Sequence, residues 1–239
     1  ISLPSLRADA FSVGLAEAVS RVRKSGFTFA PETGSDRLRR VINKTFTNAD
    51  MITAAEAAYS KGWQMIKVYA MIGLPTETDD DLEELARLAE DIVAAGRRVT
   101  GGRKVQVKVS VGCFVPKAWT PFQWQPFAGV DELRRRIDLL KRRFKRIRGA
   151  RLTWAEPEES ALEALLSRGD RRMSDAIERA HDLGSVFDGW SDLLDLGAWK
   201  QALAEASIDV ERELGERELT AGLPWDVLDA GVRKGFLKA

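Results

Sequence analysis

MIKVYAMIGLPTETDDDLEELARLAEDI, Met65 to Ile92, is the stretch on which the fold turns. Its apolar run from Met65 to Leu74 predicts a strand buried on both faces. Gly73-Leu74-Pro75 makes a sharp turn. Thr78 then offers a helix N-cap, with Asp79, Asp80 and Asp81 in the first turn. Carboxylates are favoured there by unpaired N–H groups and the helix dipole. Leu82, Leu85, Leu88, Ala89 and Ile92 follow at helical spacing. Strand–loop–helix units of this kind bind ligands at the C-terminal ends of their strands.

Outward from that unit the pattern repeats. Ile1 to Leu6 reads as a short strand, with Pro4 awkward for a central position. Val13 to Arg23 reads as an amphipathic helix. Phe27 to Ala30 predicts another strand, Ser35 caps a helix to about Val41, and Ala49 to Lys61 predicts a helix closed by Gly62. Downstream, the helix of the opening unit fades through Gly96. Val105, Val107, Val109 and Val111 alternate with polar or small residues as a strand continuing to Val115. A basic helix from about Asp131 to Arg146 and a short strand at Arg151 to Trp154 follow. Short connections between alternating strands and helices argue for an α/β fold with parallel strands and right-handed crossovers. Four or five such units suit an open sheet or part of a barrel. After about Pro157 strand signals stop. Ser160 to Leu166, Ser174 to Ala180 and a stretch through Trp199 to Ala206 look helical, with a turn at Asp188-Gly189-Trp190. The expected division is 1–150 for the sheet part and 151–239 for a mostly helical region.

Lysine and arginine number 37 against 36 aspartate and glutamate, so no global field calls for a polyanionic partner. Cys113 is the only cysteine. It excludes an internal disulfide, excludes a cysteine-built zinc or iron–sulfur site within this chain, and fits a reducing, cytoplasmic compartment. His181 is the only histidine, which excludes a His-based metal site. No apolar run approaches the roughly 20 residues that span a bilayer, so no membrane partner is expected. The chain starts with Ile1 inside what already looks like a strand, and the expectation is a piece of a longer polypeptide.

Four stretches could carry chemistry. In PETGSDRLRRVINK, Pro31 to Lys44, Glu32 sits where strand gives way to loop. Its carboxylate could accept from ribose hydroxyls or an ammonium, and Gly34 would let a ligand approach the backbone. The plainer reading is a helix-capping loop with a surface glutamate. In MIGLPTET, residues Ala70 to Gly73 either shape an ordinary connection or expose backbone to a flat ligand such as adenine. In FVPKAWTPFQW, Phe114 to Trp124, the aromatics either pack against the helical region or wall a substrate, with Lys117 and Gln123 as polar handles. In KRRFKRIRGAR, Lys141 to Arg151, a nucleic-acid footprint competes with a solvated helix face, which the apolar residues at helical spacing favour.

GFTFAPETGSDRLRRVINK, IKVYAMIGLPTETDDDLEELARLA and VKVSVGCFVPKAWTPFQW, in that order, resemble the radical S-adenosylmethionine (radical SAM) superfamily. Within it they look like the group with a cobalamin-binding-like N-terminal region. SRGDRRMSDAIERA, FDGWSDLLDLGAW and LPWDVLDAGV look like that group's C-terminal part. The resemblance implies part of a (β/α)6 barrel, strands three to six, followed by a mostly helical C-terminal region. The third strand would be Ile1 to Leu6, the fourth Phe27 to Ala30, the fifth Met65 to Ile72 and the sixth Val105 to Val115. It implies that Glu32 meets the ribose or amino group of S-adenosylmethionine and Lys44 its carboxylate. Met71 and Gly73 would border the adenine, with Phe114 and Val115 on its other side. Ser5 or Arg7 could reach the ribose, and Arg7, Lys117, Trp119 and Gln123 would face the substrate.

The family holds a 4Fe–4S cluster on a CxxxCxxC loop after its first strand, and nothing in this sequence matches that loop. The expectation is therefore the C-terminal part of a radical SAM enzyme whose full-length form generates a 5′-deoxyadenosyl radical. The missing N-terminal part of the same polypeptide would supply the cluster ligands, and this piece alone would be inactive. A small molecule or RNA is the expected substrate, and cobalamin is an option that the residues present do not support. The alternative is a non-catalytic binding or scaffold domain that keeps the barrel fold without the cluster. A CxxxCxxC encoded upstream of Ile1 would favour the first, and an initiator Met just before Ile1 the second.

Overall fold

The structure is a computed structural model that describes residues 26–102 and 104–238. The strand expected at Ile1 to Leu6, the helix expected at Val13 to Arg23, and with them Ser5 and Arg7, lie outside the described residues. The described residues fall into two units. One runs to Cys113 and resumes over Asp131–Ala155. The other comprises Phe114–Val130 and the residues from Glu156 on.

In the first unit, β1 (Phe27–Glu32), β2 (Met65–Ile72), β3 (Gln106–Cys113) and β4 (Ala150–Trp154) form one parallel sheet in chain order. They alternate with α1 (Asp36–Val41), α2 (Asn48–Ser60), α3 (Asp79–Val99) and α4 (Val130–Phe144). Each strand thus lies beside its predecessor, as successive β–α–β crossovers of one hand place them.

β2 corrects one expectation. Ile66, Val68, Ala70 and Ile72 are buried, whereas Lys67, Tyr69 and Met71 point the other way, with Tyr69 43% exposed. β1 and β3 alternate in the same sense. Among the described residues only one face of the sheet is covered, so this apolar run is half-buried. The core combines that face with Ala55 and Ala58 of α2, Leu85, Ala89 and Ile92 of α3, and Leu133, Ile137 and Leu140 of α4. Each fully buried Leu or Ile contributes about 1.5–3 kcal/mol relative to exposure.

Two glycines serve packing rather than the roles the sequence pattern assigned them. Gly96 does not end its helix, which continues to Val99. A Cβ there would come within 2.7 Å of the Tyr59 ring, so the missing side chain is what seats that ring on α3. The Tyr59 hydroxyl then donates to the Gln106 carbonyl at 2.9 Å. Gly34, expected to admit a ligand, admits α3 instead: a Cβ on it would lie 2.1 Å from the Leu85 nitrogen and 2.2 Å from its Cα.

The second unit holds α5 (Pro157–Arg168), α6 (Met173–Asp182), α7 (Leu196–Glu205) and the short α8 (Val210–Leu214) and α9 (Lys234–Leu237), with no strand among its described residues. Leu165, Met173, Ala176, Leu203 and Ile208 form one apolar cluster, and Leu162, Ala180, Trp199 and Ala202 another. Phe114–Val130 belongs here for a visible reason. The fully buried Arg168 donates to the carbonyls of Gln125 (2.7 Å), Glu213 (2.8 Å) and Gly215 (2.6 Å), and the Phe127 N–H donates to the Leu214 carbonyl at 2.8 Å. No helix among the described residues is long and apolar enough to cross a membrane.

The Gly34–Leu85 contact is backbone against backbone, so neither side can give way cheaply. Gly34→Ala is expected to cost about 2–3 kcal/mol, read as a lower urea midpoint at unchanged m-value. An unchanged midpoint would show that the two segments are not in this contact.

Candidate functional site

The C-terminal ends of β1 and β2 are tied together by one carboxylate. Ser35 caps α1, its Oγ accepting from the Leu38 N–H at 3.0 Å while its hydroxyl donates to Asp81 Oδ1. Thr78, at the start of α3, donates to Asp81 Oδ2 from its backbone N–H (2.8 Å) and from its hydroxyl (3.0 Å). The Arg37 guanidinium pairs with the same Oδ2 and donates to the Thr76 carbonyl at 2.8 Å. Burial pushes the Asp81 carboxyl up, but the Arg37, Ser35 and Thr78 donors outweigh it and hold it below the ordinary carboxylate value.

Beside this junction the structure brings Glu32 and Lys44 together. The sequence separates them by twelve residues. Yet Lys44 Nζ lies 2.8 Å from Glu32 Oε1 and 2.7 Å from the Ala30 carbonyl, and 5.9 Å from the centre of the Phe46 ring. Two left-handed residues make this meeting. Asn43 (φ 57°) reverses the chain after α1, with the Lys44 N–H donating to the Arg39 carbonyl at 2.8 Å. Glu32 itself has φ 67°, where β1 shifts register against β2. A non-glycine residue held there is strained, and such strain gathers at functional sites. Both side chains keep more than a quarter of their surface exposed, so the pair is accessible.

β2 continues the site. Glu32 lies in register with Ala70, one residue before Met71, and Met71 in register with Gly112 of β3. Gly112 has open space where a Cβ would be. The open face therefore carries a notch beside Met71. The Gly73 N–H is not available to a ligand: it donates to Glu77 Oε2 at 2.7 Å, and Arg136 of α4 grips the same oxygen. Glu77 and Arg136 are the site residues that sequence reasoning missed. A glutamate four residues after a glycine in a strand-to-helix turn was the signal, but its partner comes from another helix. Burial pushes the Glu77 carboxyl up to about 7, with the Gly73 amide and Arg136 pulling the other way.

Around Phe114–Val130 the expected substrate residues have different surroundings. Lys117 pairs with Glu163 at 2.6 Å and donates to Ser167 at 2.9 Å. Phe114 meets Phe122 edge-on at 5.5 Å, and Val115 is buried. Gln123 is fully buried, its Oε1 accepting from the Trp119 N–H (3.1 Å) and the Trp225 indole (2.7 Å). Trp124 packs with Leu223, Trp225 and Leu237, and Trp119 borders that cluster. The aromatics thus take up the packing role for the most part. Trp119 nevertheless has φ 57°, and its Nε1, with Gln123 Nε2 and Trp124 Nε1, is a buried donor without an acceptor among the described residues.

The basic helix α4 spends its charge inside the unit. Arg135 pairs with Asp79 and Glu132, Arg136 with Glu77 and Glu132, Arg143 with Glu83 and Lys141 with Asp138. These contacts favour the solvated-face reading of the run. Among the described residues no three His, Cys, Asp or Glu side chains gather as a metal site. Cys113 directs its Sγ to the Ala155 carbonyl at 3.9 Å. The described residues therefore do not fit a 4Fe–4S cluster.

Residues 4–89 match the radical SAM superfamily. The matched span includes β1, β2, Glu32, Lys44, Met71, Gly73 and Glu77, whereas Phe114, Val115, Lys117, Trp119 and Gln123 lie beyond it. The α/β architecture with its parallel sheet is consistent with part of a radical SAM barrel. The chain is 31% identical over 187 residues to the "Uncharacterized protein MJ0966" of Methanocaldococcus jannaschii, covering 78% of this chain and 39% of that protein. The chain thus spans about two fifths of that relative's length.

A carboxyl raised from its ordinary 4.5 to about 7 holds its proton more tightly folded than unfolded. Its contribution to stability is complete below pH 4.5 and lost as pH rises through 7. Glu77→Gln still offers the Gly73 N–H an acceptor but cannot ionise. Urea midpoints at pH 5 and pH 7.5 are expected to show the native chain losing stability relative to the variant. Parallel profiles would place the Glu77 pKa at its ordinary value.

Proposed function

We propose that this chain is part of a radical SAM enzyme and builds one side of its S-adenosylmethionine pocket. The observation that carries the reading is the Glu32–Lys44 pair at the C-terminal end of β1. The amino-acid end of S-adenosylmethionine is a zwitterion, so its charges are complementary to an accessible carboxylate–ammonium pair. Lys44 would take the ligand carboxylate. Glu32 would take the ammonium or a ribose hydroxyl, exchanging one ion pair for two charge-assisted contacts. Met71 and Gly73 would border the adenine, the Gly112 notch giving a flat ring room, and Glu77 would hold the Gly73 backbone in place.

S-adenosylmethionine bound beside a reduced 4Fe–4S cluster supplies a 5′-deoxyadenosyl radical, and the described residues take no part in holding such a cluster. Their work is to bind and orient. On the substrate side, Trp119 and Gln123 offer N–H donors that no described protein group satisfies, with Lys117 at the surface of the same unit.

Calorimetric titration with S-adenosylmethionine tests the pocket. Lys44→Ala and Glu32→Ala are each expected to weaken binding about tenfold or more, since a charge-assisted bond is lost in each. Lys145→Ala, on the exposed side of the chain after α4, should leave the affinity unchanged. Unchanged affinity in both pocket variants, with native circular dichroism, would reject the assignment.

A further inference from the structure

The open face of the sheet carries a row of cations. Register places Lys67 of β2 beside Lys108 of β3, and Lys108 beside Arg151 of β4. All three lie on the face opposite Val68, Val107 and Val109. Neighbouring strands run about 4.8 Å apart, so the row is about 10 Å long. None of the three takes part in an ion pair or hydrogen bond among the described residues. The one acid in the four strands, Glu32, stands at the far end of β1 and is paired with Lys44. It is four residues, roughly 13 Å, beyond Thr28, the β1 residue in register with Lys67.

Such a row is costly as it stands. Like charges directly opposite on adjacent strands destabilise a sheet, and Lys67 and Lys108 are half-buried, where water screens them less. In front of the row lies a cavity of about 610 Å3, which Gln106 and Thr153 also line. A second cavity shares Gln106 and Gly149 with it and is lined by Arg97, Lys104 and Arg148. Among the described residues no acidic side chain lines either one. The volume is that of a small-molecule site.

We propose that this row binds a small anion carrying two adjacent negative groups, of diphosphate or dicarboxylate chemistry. The site is separate from Glu32 and Lys44 and does not depend on their binding S-adenosylmethionine. Three cations at strand spacing can engage two anionic groups at once, which a single surface lysine cannot. A row only about 10 Å long favours such a ligand over nucleic acid, whose backbone needs cations spread along a longer path. On α4, the helix that could have extended such a path, Arg135, Arg136 and Arg143 are paired with acids of their own unit.

The test is calorimetry of the whole chain with inorganic pyrophosphate and, in parallel, with succinate. Saturable one-to-one binding is expected, tighter for pyrophosphate if the natural group is a phosphate and for succinate if it is a carboxylate. Lys108→Met and Lys67→Met should each weaken it at least tenfold, Lys108→Arg should restore it, and Lys44→Ala should leave it unchanged. Without anion, Lys108→Met should melt higher than the native chain, because the like-charge contact is relieved, and pyrophosphate should raise the native melting temperature but not that of Lys108→Met. Absence of saturable binding by both anions would overturn the proposal. So would full affinity in Lys108→Met, or tighter binding of a single-stranded oligonucleotide than of pyrophosphate.

Discussion

The first unit depends on the carboxylate of Asp81. It receives the hydroxyl of Ser35, the guanidinium of Arg37, and the backbone N–H and hydroxyl of Thr78. Ser35 begins α1 and Thr78 precedes α3, so two helices start from one buried charge. A buried carboxylate is tolerated only when its acceptor capacity is filled. Here filling it fixes where both helices leave the sheet. The close approach of Gly34 to Leu85 follows from the same junction, since α3 can come this near α1 only where a side chain is missing.

With the helices anchored on one face, the other face of the sheet is uncovered among the described residues. At its C-terminal end are Met71 and the gap over Gly112, and the Glu32–Lys44 pair closes the end of β1. Toward its N-terminal end is the row of Lys67, Lys108 and Arg151. The two regions differ in charge logic. The first holds a balanced pair, which suits the zwitterion proposed for it. The second holds cations that no described acid pairs with, which suits the anion proposed for it. Strand register decides the second, because a shift of one residue would turn Lys67, Lys108 and Arg151 toward the core.

Much of this was legible in the residues. Ser35, Thr78 and the three aspartates after it marked helix starts because capping chemistry is local, and the valines at alternate positions marked β3 because the strand period is local too. What depended on a distant partner was harder to read. Gly96 looked like a helix stop because a glycine usually is one. Its reason, the Tyr59 ring, comes from another helix. Gln123 looked like a polar handle because glutamine usually lies at the surface. Its carbonyl is instead claimed by Trp225, 102 residues away. The apolar run of β2 looked buried on both faces because composition does not say how many layers cover a sheet.

The sequence by itself determined the order of strands and helices, their parallel arrangement, and the superfamily that residues 4–89 match. Local hydrogen bonding, side-chain period and short connections are enough for that. Only the tertiary structure decided that Glu32 and Lys44 meet, that Glu77 closes on Gly73 under Arg136, and that three cations from three strands stand in one row. Each of these joins side chains on different elements. Their distance is set by strand register, left-handed backbone turns and helix packing, none of which is written in the spacing of residues along the chain.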